Sequence, residues 1–433
     1  MGRPDPGWIE AQRLASARAM RGACSATHLT RHRAGFGWTL RPAAGSMLAS
    51  PRMAGWDPEP DYFHHWVRDS AIVLRAVPLA IATEPGTRAF WRQHLADFIG
   101  FSLSISDPGR RGPARNPLRV TTRASHAQYL RADAELAALS GAGWLEEPRV
   151  AADGTPDPEQ WSRPQDDGPA LRASAVMEML DLLPDTARPG AEALIARDLT
   201  HTARIAGRPC IGPWEETPPR RTTFTLLAQW DALDRGCAQG REGAPDSPLR
   251  AAADRVAALL AAAEDPATGG WRESVEAPAG RLDAATCLAI LHAGRHSGPF
   301  AITHPRMRAT MAALEAGFAD LYPINRDRPV AAIGRWLGDA YFDGNPWYPA
   351  TLGFAELHYR IAATGEPGAF ARAEAWMHLI QQVAPQPAGP LPEQFDRRDG
   401  RPVSCLDLAW SAAAFLAAAA ARDMALQARA GSR

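Results

Sequence analysis

The sequence predicts an all-α protein whose helices form a double ring. Apolar residues recur with the helical period through most of the chain, and alternating strand patterns are hard to find. The helical segments number about a dozen, which suits six inner and six outer helices. Loops rich in glycine and proline separate them. We therefore predict a toroid whose loops are available for binding and catalysis.

The helices are predicted in chain order from this periodicity. The first part of the chain carries candidate helices at 7–21, 69–83, 87–104 and 126–139. Further candidates follow at 171–183, 191–206, 223–237, 249–263, 283–293, 306–320, 347–363, 367–384 and 405–424. Long loops lie at 107–118, 152–169, 207–222, 264–281 and 386–403. Several of these loops place Trp beside acidic residues, so they are the first candidates for a functional site.

Composition and charge exclude several classes of protein. The chain has 433 residues, of which 46% are hydrophobic, so it can bury a large core, in two or three domains unless a toroid organises it as one. The formal net charge is −1, which provides no field to hold nucleic acid or an anionic membrane. We expect neither partner, and a neutral polar substrate fits this charge. No pattern indicates an oligomeric state.

Cysteine usage and the termini predict a soluble cytoplasmic protein. The cysteines are far apart and show no paired spacing, which favours reduced thiols over a disulfide framework or a zinc site. They are Cys24, Cys210, Cys237, Cys287 and Cys405. No apolar run of the length of a signal peptide follows the N-terminal arginines. The Ala-rich stretch 411–421 is too short to span a bilayer.

A first cluster of functional side chains lies at 61–69, where the sequence is DYFHHWVRD. In a sugar site, a Trp face would stack on the pyranose ring while Arg68 and Asp69 bind its hydroxyl groups. The alternative is a structural ion pair that caps a helix beginning near Asp69. His64 and His65 are not expected to bind a metal, because adjacent residues rarely face the same ligand.

A second pair of candidates is Glu215 and Glu216, in the sequence GPWEETPP at 212–219. Prolines on both sides keep the two glutamates out of a helix interior. A Glu-Glu pair is usually a solvated charge. Here Trp214 precedes it, and an apolar wall raises a carboxyl pKa, which a neighbouring negative charge raises further in one member of the pair. The pair is therefore a candidate functional site.

Two further loops carry candidate residues. The sequence LPEQFD at 391–396 places Glu393 before an aromatic residue, with no basic residue nearby until Arg397. The polar stretch WSRPQDDGPALR at 161–172 leads into an apolar helix, and by itself indicates only a loop and a helix cap. Asp407 is the candidate cap of the final helix.

Taken together, these clusters resemble the glucoamylases, glycoside hydrolase family 15, and most closely the fungal-type catalytic domain. Six motifs occur in the family's order: Trp-Val-Arg-Asp at 66–69, Arg-Pro-Gln-x-Asp-Gly-Pro-Ala-Leu-Arg at 163–172, Trp-Glu-Glu at 214–216, Gly-Asn-Pro-Trp at 344–347, Glu-Gln-Phe-Asp at 393–396 and Asp-Leu-x-Trp-Ser at 407–411. The resemblance implies one (α/α)6 catalytic domain over 44–433. Residues 1–43 would form an N-terminal extension, helical or partly ordered.

The resemblance also implies an activity and its residues. Glu215 falls on the family's general acid and Glu393 on its general base. The substrate-binding residues would be Tyr62, Trp66, Arg68, Asp69, Trp161, Trp214, Glu216, Arg335 and Trp347. The implied reaction is exo-acting, inverting hydrolysis that releases β-D-glucose from the non-reducing ends of soluble α-glucan oligosaccharides. It requires no metal and no organic cofactor.

The sequence departs from the family pattern at two places. The family's Gly-Arg-Tyr-Pro-Glu-Asp is Gly-Arg-Trp-Leu-Gly-Asp at 334–339, which loses an acidic residue that helps to set linkage preference. Hydrolysis of α-1,6-glucans or of trehalose therefore stays open as an alternative. The stiff, basic loop at 217–221 could reshape the outer subsites. A catalytically inert carbohydrate-sensing domain is the non-enzyme alternative, and retention of Glu215 and Glu393 speaks against it.

Overall fold

A computed structural model describes residues 2–55, 59–241 and 248–431. Helices dominate this part of the chain, as the sequence predicts. They are α1 (Pro6–Ala23), α2 (Val67–Arg75), α3 (Val77–Thr83), α4 (Arg88–Ile105), α5 (Asp133–Ala138), α6 (Gly168–Met179), α7 (Arg188–Ile205), α8 (Thr223–Ala238), α9 (Pro248–Ala262), α10 (Ala284–Ala293), α11 (Pro305–Leu321), α12 (Tyr348–Ala362), α13 (Ala369–Val383) and α14 (Ala409–Gly431).

Six helices close an inner ring. In the order α2, α6, α8, α10, α12 and α14, each packs against the next, and α14 packs against α2. Outer helices pack on this ring: α7 on α6 and α8, α9 on α8, α11 on α10 and α13 on α12. In α10, every residue except His292 is buried, as expected for a helix that is apolar on all faces. The predicted double ring is therefore confirmed.

Two predicted helices differ from the observed ones for identifiable reasons. The helix predicted at 69–83 is interrupted at Ala76. In a continuous helix the ring of Pro78 would clash with the carbonyl of Leu74, and Pro78 has no N–H to donate to it. The helix predicted at 126–139 is a 3₁₀ turn over Ala124–Tyr129 followed by α5. Between them the backbone is extended, and the guanidinium of Arg131 forms a buried bidentate pair with Glu147, at 2.8 and 2.9 Å.

Three short antiparallel strand pairs accompany the helices. They are β1 (Arg31–Arg33) with β2 (Trp38–Leu40), β3 (His64–Trp66) with β4 (Arg149–Ala151), and β5 (Gln394–Phe395) with β6 (Pro402–Val403). Strands of two or three residues are too short to show an alternating pattern, which is why the sequence does not predict them. They position the site, because β3 ends at Trp66 and β5 directly follows Glu393.

The N-terminal helix α1 packs against α14. The rings of Trp8 and Phe415 meet edge to face with centroids 5.5 Å apart, and Arg13 pairs with Asp423 at 2.8 Å. Residues 6–23 are thus attached to the inner ring through its last helix. Within the described ranges, none of the helices combines the length and the apolar character needed to cross a membrane.

Candidate active site

The predicted site residues all line one cavity of about 710 Å³. They come from loops far apart in the chain, so no local sequence pattern predicts the distances between them. They are Tyr62, Trp66, Arg68, Asp69, Trp161, Trp214, Glu215, Glu216, Arg335, Trp347 and Glu393. The structure therefore brings together every residue that the sequence singles out for catalysis or substrate binding.

The cavity lies at the end of the ring where the inner helices begin. Trp66 immediately precedes α2 and Trp347 immediately precedes α12, and the loop that carries Glu215 leads into α8. Since an outer segment returns the chain after each inner helix, all six inner helices start at the same end. The other ends of these helices line a separate cavity of about 430 Å³, and Trp410 contributes to both cavities.

The loop conformation at Glu215 directs its carboxylate into the cavity. Glu215 has a left-handed backbone with φ of 65°, and its amide donates to the carbonyl of Gly212 at 3.0 Å. Four donors converge on the carboxylate. Oε1 accepts from Trp66 Nε1 (2.8 Å), Gln165 Nε2 (3.1 Å) and Arg68 Nη2 (3.2 Å), and Oε2 accepts from Trp161 Nε1 (2.6 Å). These contacts fix the orientation of the carboxyl group.

The aromatic residue beside Glu215 in sequence is not one of its hydrogen-bond donors. Trp214 donates its indole N–H to Asp283 Oδ2 at 2.7 Å, and its ring packs edge to face on Trp347 with centroids 4.8 Å apart. The positive φ at Glu215 makes the two neighbouring side chains diverge. Burial raises the pKa of Asp283 to about 7, and its other oxygen caps α10 by accepting from the amide of Ala285 at 2.7 Å.

Glu393 occupies a buried position immediately before β5. Its backbone amide donates to the carbonyl of Cys405 at 2.7 Å. Its carboxylate accepts from the hydroxyl of Ser404 and, at 3.2 Å, from that of Tyr62. Burial raises the pKa of Glu393 above that of an ordinary glutamate, and the Ser404 hydrogen bond and the charge of Arg335 oppose this rise.

The carboxyl groups of Glu215 and Glu393 line the same cavity and are connected through two aromatic side chains. Tyr62, which donates to Glu393, packs edge to face against Trp66 with ring centroids 5.5 Å apart. Trp66 in turn donates to Glu215. Two aromatic rings therefore lie along the wall between the carboxyl groups, and no direct hydrogen bond joins them among the described contacts.

Arg68 and Asp69 lie beside Glu215, at the start of α2. Arg68 is buried, and it contacts Asp167 at 3.2 Å and Asp69 at 3.5 Å in addition to Glu215. Burial raises the pKa of Asp69 to about 6, although the charge of Arg68 opposes this. Arg68 therefore also forms the structural ion pairs of the alternative prediction, because it contacts the carboxylates of Asp69 and Asp167 at the beginning of α2.

Arg335 also lines the cavity, where acidic and aromatic side chains hold its guanidinium. Its guanidinium makes a bidentate pair with Asp339, at 2.8 and 2.5 Å, and lies 3.5 Å from Glu216. It also lies 4.9 Å from the ring centroid of Tyr341, whose hydroxyl is 2.8 Å from that of Tyr62. This arrangement connects Arg335 through two tyrosines to the wall that carries Glu393.

The sequence analysis did not identify several residues that orient the two carboxyl groups or the aromatic side chains around them. Gln165 lies in the motif at 163–172, but nothing in that motif indicates that it contacts Glu215. Ser404 lies between β6 and α14 without any sequence signal, and Tyr341 and Asp283 are isolated in the chain. Only the folded chain brings these side chains next to the residues that they position.

Removing the Ser404 hydroxyl is expected to shift the acid limb of the pH profile to higher pH. The resemblance implies that Glu393 is the general base, which acts in its ionised form. Loss of a donor to Glu393 disfavours the ionised form, so its pKa rises further. We expect Ser404→Gly to move the acid limb of kcat/KM upward by about one pH unit. Glycine suits this position because φ is 62°. An unchanged acid limb in a folded variant would contradict this role for Ser404.

A buried cluster behind the cavity has the residue types of a metal site. Ligand atoms of His64, Asp157 and Glu159 lie within 4.8 Å of one another. Arg149, however, donates to both carboxylates, at 2.8 Å to Asp157 and 3.3 Å to Glu159. Arg163 also contacts Asp157, at 3.1 Å. Guanidinium groups therefore occupy the positions from which a cation would be bound, and the cluster is an ion-pair network.

Comparisons with known proteins identify the family of the chain. Residues 126–369 match the model of the family described as "Glycosyl hydrolases family 15". "Glucoamylase-1" of Arthroderma benhamiae is 28% identical over 92% of this chain and 67% of its own length. "Probable glucoamylase" of Schizosaccharomyces pombe is 27% identical over 88% of this chain and 85% of its own length. The chain spans 64% of "Glucoamylase P" of Amorphotheca resinae.

Solved structures share the fold. The glucoamylase of Saccharomycopsis fibuligera superposes with a TM-score of 0.75 at 19% identity, over 96% of this chain and 95% of that one. The glucoamylase of Hormoconis resinae superposes with a TM-score of 0.74 at 24% identity, over 96% of this chain and 73% of that one. The resemblance inferred from six short motifs is confirmed by the family match, and the chain belongs to glycoside hydrolase family 15, the family of the glucoamylases.

Proposed function

We propose that the protein is an exo-acting, inverting α-glucosidase of the glucoamylase type, acting on soluble α-linked gluco-oligosaccharides. The observation that carries this proposal is that Glu215 and Glu393 line one cavity, each held by its own set of hydrogen-bond donors. Two carboxyl groups suffice for glycoside hydrolysis, because one protonates the leaving oxygen while the other activates water on the opposite face of the sugar.

Glu215 is assigned the role of general acid. Its four hydrogen-bond donors stabilise the carboxylate that remains after the proton has been transferred to the glycosidic oxygen. They also hold the carboxyl group in one orientation, so little reorganisation is needed during the reaction. Arg68 is the only charged donor among the four, and its positive charge also stabilises the ionised carboxylate of Glu215.

Glu393 is assigned the role of general base. Its burial disfavours the charged form and makes the carboxylate a stronger base, while Ser404 and Tyr62 keep it oriented. Asp69 lies on the same cavity and, when ionised, stabilises the positive charge that develops at the anomeric carbon.

Exo-action is supported by the closed inner end of the cavity. Trp347 and Trp410 are buried and pack edge to face with centroids 4.9 Å apart. Trp410 lies between the active-site cavity and the cavity at the opposite end of the ring. A pocket closed in this way accepts a chain end rather than the middle of a glucan.

We also propose that the protein acts in the cytoplasm. All five cysteines are free thiols, and four of them are buried. Unpaired cysteines are typical of a reducing compartment.

The stereochemistry and linkage preference of the reaction test the proposed function. We expect glucose release from maltose and maltotriose to exceed release from isomaltose, dextran and trehalose. Proton NMR at early times should show β-D-glucose as the first product, because an inverting enzyme places water between its base and the anomeric carbon. The carboxyl groups of Glu215 and Glu393 are accordingly expected to stand roughly 6.5–9.5 Å apart when substrate is bound.

Each alternative gives a different result in the same assay. An initial α-anomer signal would contradict the inverting mechanism. Faster glucose release from isomaltose or trehalose would be compatible with the two-carboxylate mechanism but would contradict the proposed preference for α-1,4 linkages. Absence of glucose release from every substrate would favour the carbohydrate-sensing alternative.

A further inference from the structure

A second cavity, of about 700 Å³, adjoins the active site. Its walls are the β1–β2 hairpin region, residues 53–55 and the 3₁₀ turn Ala124–Tyr129. Gln160 and Trp161 line this cavity and the active-site cavity alike. We call it the side cavity. The indole of Trp161 therefore separates the side cavity from Glu215, to which its N–H donates.

The charged groups that line the side cavity form ion pairs with groups of opposite charge. Arg31 pairs with Asp61, and Arg33 pairs with Asp61 at 2.8 Å and with Glu159 at 2.7 Å. Arg149 pairs with Asp157 and Glu159 in turn. The three guanidinium groups and Glu159 line the cavity, whereas Asp61 and Asp157 are fully buried and do not line it. Each guanidinium is nevertheless paired with a carboxylate, so the cavity presents no unpaired positive charge to select an anion. Its chemistry suits a neutral, hydroxyl-rich ligand.

The rim of the side cavity exposes two large apolar side chains. Tyr129 is 53% exposed and Met53 is 52% exposed, although large apolar side chains are mostly buried in this protein. Below the rim, the guanidinium of Arg33 stacks 4.2 Å from the ring centroid of Phe36. An exposed aromatic ring above a polar surface is the combination that binds sugars, because the ring packs on the apolar face of a pyranose and the polar groups bind its hydroxyls.

The proposed mechanism gives the direction of the bound chain. A general acid protonates the oxygen of the leaving group, so the leaving saccharide must lie beside Glu215. Trp161 borders Glu215 on one side and the side cavity on the other. A glucan that extends beyond the leaving sugar and passes Trp161 would enter the side cavity.

We propose that the side cavity binds the leaving-group end of neutral, linear α-glucans, with Tyr129 and Met53 as the contacts that favour longer chains. This inference rests on the proposed function, since it takes the substrate and the direction of the chain from it. It assigns to residues 31–36, 53–55 and 124–129 a role in the selection of chain length.

The experiment compares maltose with maltoheptaose as substrates of the full-length protein. Tyr129→Ala and Met53→Ala are each expected to lower kcat/KM for maltoheptaose by roughly two- to tenfold while leaving kcat/KM for maltose unchanged. Tyr129→Phe retains the ring and should behave as the parent. Met424→Ala is the matched control, because Met424 is 51% exposed but lies on α14 at the opposite end of the ring. Thermal unfolding midpoints identify any variant that is not folded.

The outcomes separate this inference from the proposed function. If Tyr129→Ala and Met53→Ala alter the two substrates equally, or alter neither, the side cavity does not bind the glucan and the inference fails. An effect of Met424→Ala as large as that of Met53→Ala would also overturn it. If the parent releases glucose from neither substrate, the proposed function fails before the variants are compared. A loss confined to maltoheptaose, in both variants, supports the inference.

Discussion

Glu215→Gln is expected to lower kcat on maltose by about 100- to 10,000-fold, because the amide cannot deliver a proton to the leaving oxygen. The loss should depend on the substrate. A 4-nitrophenyl α-glucoside has an acidic leaving group that departs with little protonation, so its hydrolysis should fall much less. The ratio of the two losses, measured with purified variant and parent at one pH, identifies the step in which Glu215 acts.

Structural damage must be distinguished from loss of the acid. An amide nitrogen at this position would face an N–H donor, since Trp161 and three other donors surround the carboxylate. Glu366→Gln is a suitable control, because Glu366 is exposed and pairs only with Arg308 on the surface among the described contacts. Equal losses on maltose and on the nitrophenyl glucoside would contradict the assignment of Glu215 as proton donor.

Glu393→Gln is expected to lower kcat by a similar factor of about 100 to 10,000, but equally on both substrates. Water must be activated whatever the leaving group, so a better leaving group does not compensate for loss of the base. Ser404 and Tyr62 donate to different oxygens of Glu393. Glutamine keeps one acceptor oxygen, and its NH2 group can donate to the other hydroxyl, which can also accept, so the fold around the position should persist. Steady-state kinetics on both substrates, together with the unfolding midpoint, provide the measurement.

The acid limb of the pH profile gives an independent check on Glu393. In the parent this limb reflects the ionisation of a base whose pKa burial raises. The residual activity of Glu393→Gln should therefore lack the limb. Near-parental turnover, or a residual activity with the same acid limb, would show that another group is the base.

The sequence by itself determined the helical architecture and the candidate residues of the site. Helical periodicity is a local property, so most inner and outer helices were predicted to within a few residues of their observed ends. The catalytic candidates also depend on local patterns, since prolines keep Glu215 in a loop and the motif order indicates the family. Strands of two or three residues and the 3₁₀ turn at Ala124–Tyr129 were not predicted, because they are too short to show a periodic pattern.

Only the tertiary structure decided which side chains act on one another. Closure of the inner ring brings the loops around Glu215 and Glu393 to one cavity, although 177 residues lie between the two glutamates. The backbone conformation also decides which neighbours interact. With the positive φ of Glu215, the adjacent Trp214 donates to Asp283, and Glu215 instead accepts hydrogen bonds from Trp66 and Trp161. Burial, hydrogen bonding and pKa depend on these long-range contacts, and a pattern along the chain does not contain them.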